Sequence, residues 1–162
     1  MYNLIFLDID GVLNNRRSMW AAADPAIRLC PFPHQITRTV DPYCVGLLNG
    51  LVRDTSAFVV ISSTWRMYHP EAILPCLEWG GFKHAGMVMG TTPINEASRG
   101  EQIAEWLERE YAEVGVPFNY VILDDDSDFL PEQRPRHVKT NHEVGLTVED
   151  VLLAKALLTG VP

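Results

Sequence analysis

Apolar residues along this chain gather into short runs that end abruptly in polar ones. Leu4 to Leu7 stops at Asp8, Phe58 to Ile61 stops at Ser62, Ser63 and Thr64, and Tyr120 to Leu123 stops at Asp124. Runs of this length without polar alternation read as strands buried on both faces. Between them, apolar positions recur at helical spacing. Asp41 and Pro42 read as the N-cap and first residue of a helix whose apolar face is Val45, Leu47, Leu48 and Leu51. Pro70 to Trp79 reads as a helix stopped by Gly80 and Gly81. Gly86 to Gly90 fits a short strand, and Ser98 or Asn95 caps a helix carrying Ile103, Trp106, Leu107 and Tyr111. His137 to Thr140 fits a short fifth strand, and Thr147 caps a last helix with Val151, Ala154 and Leu158 facing inward.

Strands alternating with helices predict an α/β fold, a parallel sheet covered by helices on both faces, because right-handed crossovers impose that layering. Residues 14–40 break the pattern. They hold Arg16, Arg17, Trp20, the small residues Ala21 to Ala23 and prolines at 25, 31 and 33, with no sustained period, and read as an irregular flap. Residues 65–119 are accounted for by two helices and a strand, so neither stretch has room for a second folded unit. A single domain over 1–162 is expected, with the flap as its only elaboration.

Composition narrows the class of function. With 162 residues, 47% of them hydrophobic, the chain can build a real core. No apolar run approaches a membrane span, and the N-terminus leads directly into a strand, which predicts a cytoplasmic protein with no membrane partner. Cys30, Cys44 and Cys76 are odd in number and lack CxxC spacing, so they read as buried free thiols. The net charge of -8 argues against strong non-specific binding of nucleic acid, because phosphate neutralisation requires a basic excess. Acids gathered around a cation would account for part of that charge.

The strand ends carry the chemistry. Asp8 and Asp10 stand two positions apart at the end of one strand, and Asp124, Asp125, Asp126 and Asp128 follow another. Neighbouring carboxylates resist sharing a dry site unless one is protonated or a cation lies between them. One acidic strand end reads equally well as a solvated turn. Two of them, with a strand ending in hydroxyls, predict a site for a hard cation and an oxyanion beyond the carboxyl ends of a parallel sheet.

Four segments in order, FLDIDGVLN at 6–14, ISSTWR at 61–66, Arg99 opening a helix and VILDDDSD at 121–128, resemble the motifs of the haloacid dehalogenase (HAD) superfamily of aspartyl phosphotransferases. SSTWR and the closing GLT before the final helix look most like the small HAD phosphatase domains of bacteria and phages, some of them attached to RNA-repair proteins. The resemblance implies a three-layer Rossmann-like HAD fold with a mostly parallel five-stranded sheet and no separate cap domain, so that the site lies open to a large or flexible substrate. It implies that Asp8 attacks phosphorus, while Asp10 protonates the leaving oxygen and later activates water. It also implies Mg2+, with Mn2+ as the alternative, held by Asp8, the backbone carbonyl of Asp10 and Asp124.

The run LDDDSD satisfies both family patterns for the next acid, so Asp125 is placed second and Asp128 third, with Asp126 a turn residue. Ser62, with Ser63 one position away, is the phosphate-binding hydroxyl. Arg99 takes the place many relatives give to lysine, keeping the charge but binding oxygens as a fork. Trp65 reads as a core residue at a strand exit, while Arg66 and Arg17 are assigned to the substrate. Taken together, these roles describe a phosphomonoester hydrolase acting on a nucleotide or nucleic-acid terminal phosphate. The alternatives are a small-metabolite phosphatase, a slow HAD-fold binding or regulatory module, and a metal-dependent nuclease using the same acids.

Overall fold

The structure is a computed structural model that describes residues 1–18, 40–68 and 70–160. Its element order is β1 (Tyr2–Leu7), α1 (Pro42–Thr55), β2 (Phe58–Ile61), α2 (Trp65–Tyr68), α3 (Pro70–Trp79), β3 (Val88–Thr91), α4 (Arg99–Val114), β4 (Phe118–Asp124), β5 (His137–Lys139) and α5 (Val148–Thr159). The five strands form one sheet in the order β3-β2-β1-β4-β5, and every pairing is parallel. β1 is the centre. The chain builds outward from it on one side through β2 and β3, then returns to its other side with β4. That reversal makes the carboxyl ends of β1 and β4 the crevice where open α/β sheets bind ligands.

The strands are apolar on both faces because both faces are covered. Ile5, Leu7, Val59, Ile61, Val121 and Leu123 pack on one side with Val45, Leu48 and Leu51 of α1, Ile73 and Leu77 of α3, and Ala154 and Leu158 of α5. Leu4, Phe6, Val60 and Ile122 face the other way and meet Ile103 and Trp106 of α4, with Phe129. Trp106 stands edge-on to Phe6 with ring centroids 5.5 Å apart. The helix caps follow the sequence. Asp41 accepts from the Tyr43 N–H, and Ser98, rather than Asn95, caps α4 through a reciprocal box with Glu101. Thr147 and Asp150 form a second such box.

Three expectations need adjustment. The third strand starts at Val88, because Ala85–Met87 winds into a 3-10 turn. Segment 65–119 contains an additional short helix, α2, directly after the hydroxyl-rich strand end. Tyr111, placed on the apolar face of α4, is exposed. Cys44 and Cys76 are free and buried as expected, whereas Cys30, Trp20 and most of the flap lie outside the described residues. Among the described residues no helix is long and apolar enough to cross a membrane.

The packing of α4 yields a test. Trp106→Ala should destabilise the domain by about 3–5 kcal/mol, since an almost wholly buried indole is lost from a close-packed face. Tyr111→Ala, five residues along the same helix, should cost under about 1 kcal/mol. Urea denaturation of the two variants would measure the difference, and equal losses would show that α4 is seated otherwise.

Candidate active site

The sheet's hydrogen bonding continues one residue past the named strands. The Asp8 N–H donates to the Leu123 carbonyl at 3.0 Å, Ser62 to Leu7 at 2.9 Å, and Thr92 to Ile61 at 3.0 Å. Extending the pairings Leu7 with Ile61 and Leu123, and Ile61 with Thr91, puts Thr92, Ser62, Asp8 and Asp124 in one row, ending at Lys139. Side chains in such a row leave by the same face. It is the face of Phe6, Val60 and Ile122, two residues earlier on each strand, which is the face that α4 covers. The first residue of α4, Arg99, therefore lies against the row.

Arg99 joins the two strand-end carboxylates with a single nitrogen, Nη1, which lies 3.3 Å from Asp8 Oδ1 and 3.0 Å from Asp124 Oδ2. Burial works against its charge, but Asp124 and Asp8 outweigh that and hold the guanidinium above its ordinary pKa. The carboxylates respond in the opposite sense. Burial raises Asp8 above its usual value, with Arg99 and the Ser63 hydroxyl pulling it back. Asp124 is wholly buried, and burial together with Asp8 pushes it up to about 7. Asp125 is also raised, by burial and then by Asp126.

Asp8, Asp124 and Asp125 each offer an oxygen to one small volume, with the three atoms within 4.8 Å of one another. Three carboxylates facing one guanidinium leave an excess of two negative charges when all are ionised. Gly11 makes room for this arrangement. Its φ is +75°, and a Cβ there would lie 2.4–2.7 Å from the Asp125 carboxylate atoms. Asp128 is outside the cluster. Its carboxylate accepts the Arg99 backbone N–H at 3.1 Å and its carbonyl accepts that of Gly100, so it fixes the start of α4. Asp126 is exposed and donates its N–H to Asp124 Oδ1 at 2.9 Å.

Asp10 is held elsewhere. Its Oδ2 accepts from Trp65 Nε1 at 3.1 Å and its Oδ1 from Asn14 Nδ2 at 2.7 Å. Asn14 in turn accepts the Gly11 N–H at 3.1 Å. The reading of Trp65 as a core residue was therefore incomplete: it is buried, and its indole N–H also orients Asp10. Asn14 was inside the first quoted motif but carried no signal of its own, and the pairing of Trp65 with Asp10 spans 55 positions.

Both serines are fully buried. The Ser63 hydroxyl bonds the Asp8 carboxylate, whereas Ser62 Oγ and the neighbouring Thr92 Oγ1 are buried with no hydrogen-bond partner among the described residues. Arg66 departs from its assignment as a substrate contact. It is buried, and its guanidinium is engaged by the carbonyls of Ser62, Ser63, Thr92 and Pro93 and by Gln102 Oε1. An arginine has five N–H donors, so none remains for a ligand. Arg17 is exposed next to Arg16, which pairs with Glu143 at 3.0 Å.

A parallel sheet with acids at the carboxyl ends of its two central strands, hydroxyls at a third and a helix-start arginine between them defines a domain of the haloacid dehalogenase superfamily. Residues 4–151 match the family described as the HAD domain in Swiss Army Knife RNA repair proteins, and the chain belongs to that family. No curated protein matches the chain.

The raised carboxylates set a pH dependence in the metal-free protein. Between the ordinary value of 3.8 and about 7, folded Asp124 keeps a proton that the unfolded chain releases. Its contribution to stability therefore falls as pH rises through that window and is constant outside it. Asp124→Asn should melt with a flatter dependence on pH from 4.5 to 7.5 than the wild type in EDTA. Parallel curves in differential scanning calorimetry would show that Asp124 is not the group responsible.

Proposed function

We propose that this domain is a Mg2+-dependent phosphohydrolase that removes terminal phosphates from nucleic acid through an aspartyl-phosphate on Asp8. The observation that carries the reading is the division of the motif acids into two groups. Asp8 lies in the carboxylate cluster beside Arg99, and Asp10 is held outside it by Trp65 and Asn14. A nucleophile needs positive charge beside it, and an acid-base group needs an environment different from the nucleophile's.

The donor set suits a hard divalent cation. Its atoms are all oxygen, they converge within 4.8 Å, and when all three acids are ionised they carry more charge than Arg99 offsets. Asp8, Asp124 and Asp125, with the Asp10 carbonyl, are the ligands assigned to Mg2+, and Mn2+ is the alternative. When bound, such an ion supplies the positive charge that lets an anionic phosphate approach an anionic nucleophile.

The remaining steps belong to the protein. An Asp8 carboxylate oxygen forms a bond to phosphorus as the bond to the leaving oxygen breaks, and Asp10 delivers its proton to that oxygen. Asp10 then takes a proton from water as the water attacks the aspartyl-phosphate, which returns Asp8 as a carboxylate and releases inorganic phosphate. Arg99 stabilises charge on the phosphoryl oxygens and favours the ionised form of Asp8 against the burial that disfavours it. Ser63, whose hydroxyl already reaches Asp8, is assigned the phosphate contact ahead of Ser62. The RNA repair proteins named in the family description favour a nucleic-acid end over a metabolite, and Arg17 remains assigned to the backbone of such a substrate.

The test compares phosphorylated RNA oligonucleotides, mononucleotides and sugar phosphates with and without Mg2+. Asp8→Asn should reduce kcat about 10³-fold or more, and Asp10→Asn about 10²–10⁴-fold, with both proteins folded. Mg2+-dependent hydrolysis of sugar phosphates alone would replace the nucleic-acid assignment with a metabolite one. Near-normal turnover by Asp8→Asn would refute the covalent mechanism.

A further inference from the structure

Arg66 is a buried cation that meets oxygen atoms of carbonyls and an amide, and no ion pair of it occurs among the described residues. Burial lowers its pKa to about 10, which leaves it charged at neutral pH. Its contacts fall on three separate pieces of the site. Nη1 holds the carbonyls of Ser62 and Ser63, where β2 ends. Nε and Nη2 hold those of Thr92 and Pro93, where β3 ends, at 3.2 and 3.4 Å. Nη2 also reaches Gln102 Oε1 on α4, one turn after Arg99. Gln102 continues the linkage, because its Nε2 donates to the carbonyls of Asn95 and Ala97 at 3.1 and 3.0 Å. Those residues lead into the Ser98 cap, immediately before Arg99.

We infer that Arg66 is a positioning residue that, with Gln102, locks the Ser62–Ser63 turn to the start of α4 and so sets the Ser63 hydroxyl and the Arg99 guanidinium at fixed places around Asp8. The geometry requires a guanidinium. A lysine ammonium has three donors on one atom and cannot span five acceptors spread over three segments. The role is distinct from a substrate contact, since no donor is left to make one. It rests on the phosphoryl-transfer reading for its effect on turnover, but its effect on structure does not.

Arg66→Lys and Gln102→Leu test it together, each first shown to be folded by circular dichroism. Each should lower kcat on a phosphorylated oligonucleotide about 100-fold, as expected for displaced catalytic groups, and leave KM within about 3-fold. The double variant should lose little more than either single one, because both act through one linkage. Amide exchange at Ser62 and Arg99 should speed up by about 10-fold or more in both variants, with Leu51 and Val121 unchanged. If Arg66→Lys does not fold, Gln102→Leu alone carries both readouts.

A raised KM with intact kcat would make Arg66 a binding residue and overturn the inference. Additive losses in the double variant, or unchanged exchange at Ser62 and Arg99, would overturn it as well. If the wild type turns over no phosphomonoester, the phosphoryl-transfer reading fails, and amide exchange still decides whether Arg66 and Gln102 lock the two segments.

Discussion

Two carboxylates at the same level on adjacent buried strands are the constraint around which this molecule is organised. Strands in a sheet lie about 4.8 Å apart, and at that separation two unit charges repel by on the order of 3 kcal/mol at the effective dielectric of a protein. Asp8 and Asp124 are nevertheless 5% and 0% exposed. The protein's own answer is Arg99, whose Nη1 contacts both. A single guanidinium does not neutralise three acids, however, and that shortfall adds to burial, the larger cause, in holding Asp8, Asp124 and Asp125 above their usual values. The same shortfall supports the cation proposed for the cluster.

Because one nitrogen has to reach two carboxylates, the start of α4 must be placed accurately. Several devices converge there. The Ser98–Glu101 box closes the first turn, Asp128 accepts two backbone N–H groups, and Gln133 bonds both the Gly100 carbonyl and the Leu130 N–H. Gly100 admits this contact. A Cβ there would meet Gln133 Oε1 at 2.6 Å, the Leu130 nitrogen at 2.7 Å and Phe129 Cα at 2.9 Å. The loop after β4 and the helix after β3 are thereby knitted together over the acids, and Trp106 and Ile103 anchor the rest of the helix to the sheet.

The parts of this arrangement that were legible in the sequence are those that depend on local pattern. Apolar runs ending in acids or hydroxyls located β1, β2 and β4, and cap residues located α1, α4 and α5, because burial on both faces and capping each leave a signature within a few positions. Which acid of Asp125 and Asp128 joins Asp8 was not legible. Both spacings satisfy the motif, and the choice depends on how the chain turns beyond Asp124 and on the space left by Gly11. Arg66 was misjudged for a related reason. An arginine beside a phosphate motif reads as a ligand contact, and only the long-range placement of Thr92, Pro93 and Gln102 shows that its donors are already engaged. The start of β3 was misplaced because the glycines and methionines of 86–90 do not distinguish a 3-10 turn from a strand.

Fold and site are specified by the same register. Phe6, Val60 and Ile122 seat α4 on one face, and two residues later the same alternation delivers Asp8, Ser62 and Asp124 to that face. The opposite face continues instead into Ile9, Val12 and Leu13, which close the larger apolar core under α1 and α5. A slip of one residue in β1 would exchange these sets, burying a carboxylate among hydrocarbon and exposing Leu7 and Ile9 to the site. The register that makes β1 a central strand is therefore also what aims Asp8, the proposed nucleophile. The register sets the face from which Asp8 leaves, and Arg99 and Ser63 then contact its carboxylate there, whereas Trp65 and Asn14 hold Asp10, which lies beyond the reach of the sheet's register.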